Sequence, residues 1–214
     1  MDHDENVRIV RETFFPTFVY YADLAGAKEL NAEIKPLIYA WRARDPDGIT
    51  RSNARRFGSW HSPSNMNELE AFAGLTRRLL AVAQKVFVDL GYPPERGPVF
   101  DNMWANINPR HGYNRPHVHP RSLWSGVYYV QVPPDGGSLS FDDPRPGAGM
   151  VPPVYSDEGA ERPASWAVVH YEAIEGRVLL FPAWLSHQVD PNATREEGPA
   201  ADRISVSFNF VQGS

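Results

Sequence analysis

Asn114-Arg115-Pro116-His117-Val118-His119-Pro120, with Ser125-Gly126-Val127-Tyr128-Tyr129-Val130 close behind it, is the stretch that decides how this chain folds. Side chains of an extended backbone alternate between faces, so His117 and His119 project to the same side and two imidazoles point at one spot. Pro116 and Pro120 restrict the backbone on either side of the pair, which removes freedom that ligand binding would otherwise have to freeze out. A third histidine, His187, ends the segment Phe181-Pro182-Ala183-Trp184-Leu185-Ser186-His187, after a strand-like run that begins beyond Gly176. Further on, Arg203-Ile204-Ser205-Val206-Ser207-Phe208-Asn209-Phe210 alternates polar and apolar residues, a strand opened by an arginine.

Length and composition bound the possibilities. A chain of 214 residues can bury one good core, and a single domain over 1–214 is expected, with a helical part over about 1–98 and a β core over about 99–211. Most of the 20 prolines and 16 glycines fall after residue 90, the punctuation of short strands and turns. The absence of cysteine excludes disulfides and thiolate metal sites, so a metal would have to use histidine, carboxylate or water. No basic region followed by an apolar run opens the chain, and no run of about 18 apolar residues occurs, so a soluble, cytoplasmic protein without a membrane span is expected. The net charge of -5 argues against broad nucleic-acid binding, while Arg51, Arg55 and Arg56 leave room for a small anionic ligand.

In chain order, residues 1–12 are charged and expected to be loosely held, and residues 14–21 read as a leading strand confined to a sheet edge by Pro16. Leu24, Ala27, Leu30, Ile34, Ile38 and Trp41 recur at spacings of three and four, an amphipathic helix ended by Asp45-Pro46-Asp47-Gly48. Residues 49–64 are polar, basic and aromatic with weak periodicity, and read as a loop, either solvated surface or the border of a site. Leu69, Phe72, Leu75, Leu79, Leu80, Ala83 and Val86 mark a second helix, and the two helices are expected to cover one face of a sheet. Residues 99–108 read as a strand that places Asn102, Trp104, Asn106 and Asn108 on one face, either a wet outer surface or a set of amides beside a ligand. Residues 123–132 form a strand joined by an Asp135-Gly136-Gly137 hairpin turn to residues 138–141, as in a β-meander. The loop over 142–162 is too long for a connector and suggests a lid, and strands over 165–170, 177–181 and 203–211 complete the series.

One His-x-His pair is a weak sign of metal. A distant third histidine at a strand end, and an arginine on the next strand, are what a jelly-roll iron site requires. Two ligands would come from one strand and the third from a strand facing it across the barrel, leaving the other face of an octahedron open. Arg203 would then be a fixed cationic fork for a carboxylate, unless it pairs on the surface with Asp202 or Glu197.

The order His-x-His, strand, turn, Gly-x-x-x-x-Phe-Pro, His, then Arg-x-Ser resembles the 2-oxoglutarate- and Fe(II)-dependent oxygenase superfamily, and in particular a bacterial and phage subgroup distantly similar to prolyl hydroxylases. The likeness is strong over about residues 100–211 and looser in the Phe15-Pro16-Thr17 and Arg51-Ser52-Asn53 segments. It implies a mainly β fold, a double-stranded β-helix (jelly roll, cupin-like) with the two helices packed on one face. It implies His117 and His187 as iron ligands, Arg203 and Ser205 on the distal carboxylate of 2-oxoglutarate, and Asn106 and Tyr129 in the same pocket. The implied reaction couples decarboxylation of the oxoacid to succinate and CO2 with hydroxylation of a C–H bond. The chain departs from the superfamily at 119, where His119 stands in place of an acidic ligand; Asp142 or Asp143, at the end of the next strand, is the alternative third ligand.

Two other readings compete. A cupin-like protein could use three histidines for dioxygenation or isomerisation without 2-oxoglutarate, and a non-enzymatic β-sandwich could bind protein or carbohydrate. The side chain of Arg203 separates the first two by pointing into the barrel or out of it. His3, His61, His111 and His170 are assigned to surface or packing roles, and Trp60 is a candidate exposed aromatic for a homodimer interface. The sequence leaves the substrate, small molecule or peptidyl residue, open.

Overall fold

The structure, a computed structural model, describes residues 8–214; residues 1–7, and with them the role expected of His3, lie outside the described residues. Among the described residues, ten strands form two antiparallel sheets. The major sheet contains β1 (Tyr20–Asp23), β2 (Trp60–His61), β3 (Pro98–Asn108), β5 (Trp124–Gln131), β8 (Arg177–Pro182) and β10 (Arg203–Gln212), in the order β1-β8-β5-β10-β3-β2. The minor sheet contains β4 (Asn114–His117), β6 (Ser138–Asp142), β7 (Val168–Glu172) and β9 (His187–Val189), in the order β4-β9-β6-β7. Two helices, α1 (Ala27–Arg44) and α3 (Ala73–Asp89), join single turns at α2 (Gly48–Arg51) and α4 (Asp157–Ala160).

Period-two alternation sorts the side chains of the major sheet into two layers. Met103, Ala105 and Ile107 of β3 and Ile204, Val206 and Phe208 of β10 face the helices, where they meet Ile34 and Ile38 of α1 and Leu75 and Leu79 of α3. Each of these is fully or almost fully buried, and each contributes roughly 1.5–3 kcal/mol of apolar transfer if large. The helices therefore seal one face of the major sheet, as their apolar stripes predict. The opposite faces of the two sheets enclose a second cluster, Val127, Tyr129, Leu139, Phe141, Leu179, Phe181 and Leu185. This sandwich of four-stranded minor and six-stranded major sheets is the jelly roll that the family resemblance implies.

Several expectations need correction. The 14–21 strand begins only at Tyr20; Phe14 and Phe15 are exposed and Phe15 has a φ of 56°, so Pro16 and its neighbours make no ladder. The Asp135-Gly136-Gly137 turn is not a hairpin: β5 pairs with β8 and β10 while β6 pairs with β7 and β9, so the turn crosses between sheets. Burying Leu139 and Phe141 between the sheets requires this crossing, and Asp135 and Gly137 adopt positive φ to make it. Trp60 is 1% exposed and offers no dimer surface; its Nε1 donates to Asp45 O at 2.8 Å, and its ring sits where a Cβ on Gly48 would be. The 49–64 segment is more ordered than a loop, with α2, a 3-10 turn at Arg55–Phe57, and β2.

Candidate metal centre and anion pocket

His117 closes β4 and His187 opens β9, and the two are direct partners in the antiparallel register, with ring centroids 4.3 Å apart. The third histidine therefore comes from the neighbouring strand of the same sheet and not from across the barrel. Asn114 and His117 pair with Val189 and His187 across a register irregularity, which brings the chain to His119 as it leaves the strand. There the His119 backbone N–H donates to Ala183 O at 2.9 Å, tying the segment to the turn before β9. The three imidazoles offer nitrogen atoms within 4.8 Å of one another.

This donor set fits a divalent first-row cation. Burial, reinforced by the neighbouring His117, lowers the His187 pKa to about 3 and that of His119 to about 4, so both rings are neutral and carry lone pairs at neutral pH. His117 Nδ1 lies 2.6 Å from Arg115 O and His187 Nδ1 lies 2.9 Å from Leu185 O. A carbonyl only accepts, so each Nδ1 carries the proton and each Nε2 is left with its lone pair outward. Asp142 and Asp143 are not brought to the cluster: Asp142 is exposed at the end of β6, and Asp143 forms an ion pair with Arg145 that lowers its pKa.

The cavity beside the histidines, about 50 Å³, is lined by Trp104, Asn106 and Asn108 of β3, Tyr129 of β5, and Arg203, Ser205 and Ser207 of β10. The polar stripe of β3 thus faces inward, and Asn106 Nδ2 donates to Ser207 Oγ at 3.1 Å. Arg203 is 1% exposed and points into this cavity. Its Nη1 donates to Gly136 O and to Asp190 O (2.9 Å), and its Nη2 to Gly112 O (3.4 Å). Among the described residues no carboxylate pairs with it: Asp202 turns to the helix side, to Tyr39 and Arg42. Burial pulls its pKa down to about 10, still well above neutrality. The Asp190 carboxylate acts on the guanidinium at longer range, but its direct partners are carbonyls, and a desolvated cation so held is costly unless an anion completes it. Tyr129, whose pKa burial pushes up to about 12, lies beside it as a neutral hydroxyl.

The carbonyl nest of Gly112, Gly136 and Asp190 was not legible in the sequence, although Gly137 was a clue: its φ is 84°, and a Cβ there would stand 2.7 Å from Arg203 Nη1. His61, assigned to the surface or to packing, stacks on Trp104 with ring centroids 5.3 Å apart, and Trp104 in turn lies 5.8 Å from His119. Burial lowers the His61 pKa, so this ring backs Trp104 as a neutral group. His170 lies on the other side of the minor sheet, 2.8 Å from Ser140 Oγ.

Solved structures share the fold. The epimerase SnoN in complex with Fe3+, alpha ketoglutarate and nogalamycin RO aligns with a TM-score of 0.60 at 17% identity, over 90% of this chain and 78% of that one. HygX from Streptomyces hygroscopicus, with nickel and 2-oxoglutarate bound, aligns at 0.57 and 15% identity, over 91% and 82%. A Pseudomonas putida prolyl-4-hydroxylase aligns at 0.51 and 17% identity, over 89% and 91%. No curated protein matches the chain in sequence. The family described as "Putative 2OG-Fe(II) oxygenase" matches residues 102–209, just over half of the 214 residues and the span that holds all three histidines and the arginine. The chain belongs to that family and is an Fe(II)- and 2-oxoglutarate-dependent oxygenase.

Proposed function

We propose that His117, His119 and His187 would hold Fe(II). Arg203, flanked by Ser205, Tyr129 and Asn106, holds the distal carboxylate of 2-oxoglutarate, and the enzyme hydroxylates a small-molecule or peptidyl substrate. The observation that carries this is the buried guanidinium of Arg203, hydrogen-bonded to carbonyls and in no ion pair among the described residues, in the same cavity as the three imidazoles. When bound, the iron supplies the oxidative chemistry that couples oxoacid decarboxylation to substrate oxidation. The protein's own contribution is geometry. Arg115 O and Leu185 O orient two imidazoles, three carbonyls orient the guanidinium, and Phe141, Phe181 and Leu185 exclude water behind His187.

A second cavity, of about 830 Å³, is lined by residues 14–19 and 141–146, by Trp184 and Leu185, and by Pro163, Ala164, Trp166, Ala167, Val169 and Tyr171. Its walls carry Phe14, Phe18, Trp166, Tyr171 and Trp184, and it abuts Phe141, whose ring is 6.2 Å from that of His187. A volume and lining of this kind suit an organic ligand with apolar or ring-shaped surface, and we assign the groove to the substrate and the 142–162 loop to its cover. Among the described residues no helix is long and apolar enough to cross a membrane.

Metal binding tests the triad. His117→Ala and His187→Ala are each expected to lose stoichiometric Fe(II) binding in anaerobic equilibrium dialysis. A variant that still binds one equivalent tightly would remove that histidine from the site.

A further inference from the structure

His119 is held differently from the other two histidines. The pairing of β10 with β3 passes from Asn209↔Asn102 directly to Phe210↔Phe100, so Asp101 is an extra residue in β3. Such a bulge re-aims side chains. Here Asp101 Oδ2 accepts from Asn102 Nδ2 at 3.1 Å and from Ser122 Oγ at 2.9 Å. Asn102 Oδ1 accepts from Asn209 Nδ2 at 2.7 Å, and Asn209 Oδ1 accepts from Ser125 Oγ at 2.6 Å. Asn209, 2% exposed, then turns the other hydrogen of Nδ2 toward His119 Nδ1 at 3.5 Å.

The direction of this chain is set from its outer end. A carboxylate accepts and does not donate, so Asn102 presents nitrogen to Asp101 and oxygen to Asn209. Asn209 must then present nitrogen both to Asn102 and to His119; turning either amide over would set oxygen against oxygen. His119 Nδ1 faces a donor, keeps its lone pair there, and carries its ring proton on Nε2. For His117 and His187, each facing a carbonyl at Nδ1, the proton is on the opposite nitrogen.

We propose that Asn209, locked in direction by Asn102 and Asp101, is a positioning residue that holds His119 in the tautomer opposite to that of His117 and His187. Two imidazoles are then ready to take the metal through Nε2, and His119 joins through that atom only after its ring proton moves to Nδ1, which the Asn209 amide opposes. The functional consequence rests on the reading of His119 as third ligand: the centre is a two-histidine anchor with a conditional third arm, and Asp101, outside the cavity, sets the condition.

The tautomers are read directly in the metal-free protein, from two-bond 15N–1H correlation spectra of the histidine rings at a fixed neutral pH. The expected pattern is Nε2–H for His119 and Nδ1–H for His117 and His187. In Asp101→Asn either end of the new amide can face Asn102, so His119 shifts toward Nδ1–H and Co(II) binding, measured by calorimetry, tightens by about tenfold, the lower end of what groups behind metal ligands contribute. Charge alone would move affinity the other way, because the variant removes a negative charge near a cation. Asn209→Ala is the second variant, and there His119 is expected to lose its tautomer preference. An Nδ1–H signal for His119 in the wild type, or Co(II) binding in Asp101→Asn that is unchanged or weaker, overturns the proposal. If His119→Ala leaves Co(II) affinity unchanged while the tautomers are as expected, the ligand reading fails and the relay stands.

Discussion

Arg203→Ala is the perturbation whose size the structure fixes best. A guanidinium has five N–H donors, and three hydrogen bonds to the carbonyls of Gly136, Asp190 and Gly112 leave Nε–H and one Nη2–H for a ligand. Hydrogen bonds to a charged group contribute about 1.5–3 kcal/mol each, so a carboxylate that takes both loses about 3–6 kcal/mol with the side chain. That is a weakening of roughly 10²–10⁴-fold in the dissociation constant of 2-oxoglutarate. Fe(II) affinity is expected to stay within about threefold of wild type, because Arg203 is not among the converging imidazoles and both figures fall in the tenfold-per-1.4 kcal/mol scale. Arg203→Lys keeps the charge but not the planar fork and falls between the two. Anaerobic calorimetry of the Fe(II)-loaded proteins measures both constants. A 2-oxoglutarate affinity in Arg203→Ala close to wild type would refute the clamp, and a parallel loss of iron would show that the residue supports the metal site.

Other consequences are open to simpler tests. The metal-free protein should lose stability as pH falls from about 6.5, the ordinary histidine value, toward the depressed folded values of about 4 and 3 for His119 and His187, because the unfolded chain binds protons that the folded one refuses. For His187 alone the loss between pH 7 and pH 5 is about 2 kcal/mol by linkage, measurable by urea unfolding; a flat profile, or greater stability at pH 5, would contradict it. Gly137→Ala should destabilise the protein by more than the about 1–2 kcal/mol of a positive-φ alanine alone, because the new Cβ also meets the Asp190 carbonyl, and should weaken 2-oxoglutarate binding because it meets Arg203; denaturation and calorimetry separate the two effects. Trp184→Ala should raise the KM for a substrate found by succinate release with little change in kcat, since the indole, 57% exposed, lines the groove and lies outside the metal cluster.

The parts of the fold that rest on strict periodicity were readable in advance. The stripes through Ile34, Ile38, Leu75 and Leu79 became the helix layer, and alternation in β3 put Trp104, Asn106 and Asn108 on one face, which lines the cavity together with Arg203 and Ser205. Partnering was less legible, because local sequence does not say which sheet a strand joins. The turn at Asp135-Gly136-Gly137 has hairpin residues, yet it crosses between sheets since Leu139 and Phe141 must be covered from both sides. The burial of Trp60 was likewise hidden by a polar neighbourhood, although Gly48, the small residue it packs against, was visible in the turn at 45–48. Asn209 continues the inward register of 203, 205 and 207, but its effect depends on the bulge at Asp101, which no alternation rule announces.

The most direct test of the account is anaerobic addition of 2-oxoglutarate to the Fe(II)-loaded wild-type protein, followed in the visible range for the weak charge-transfer band of an iron–oxoacid chelate. The account predicts a band that saturates at one equivalent per chain and disappears in Arg203→Ala. An iron-loaded protein that shows no band at saturating oxoacid would contradict it.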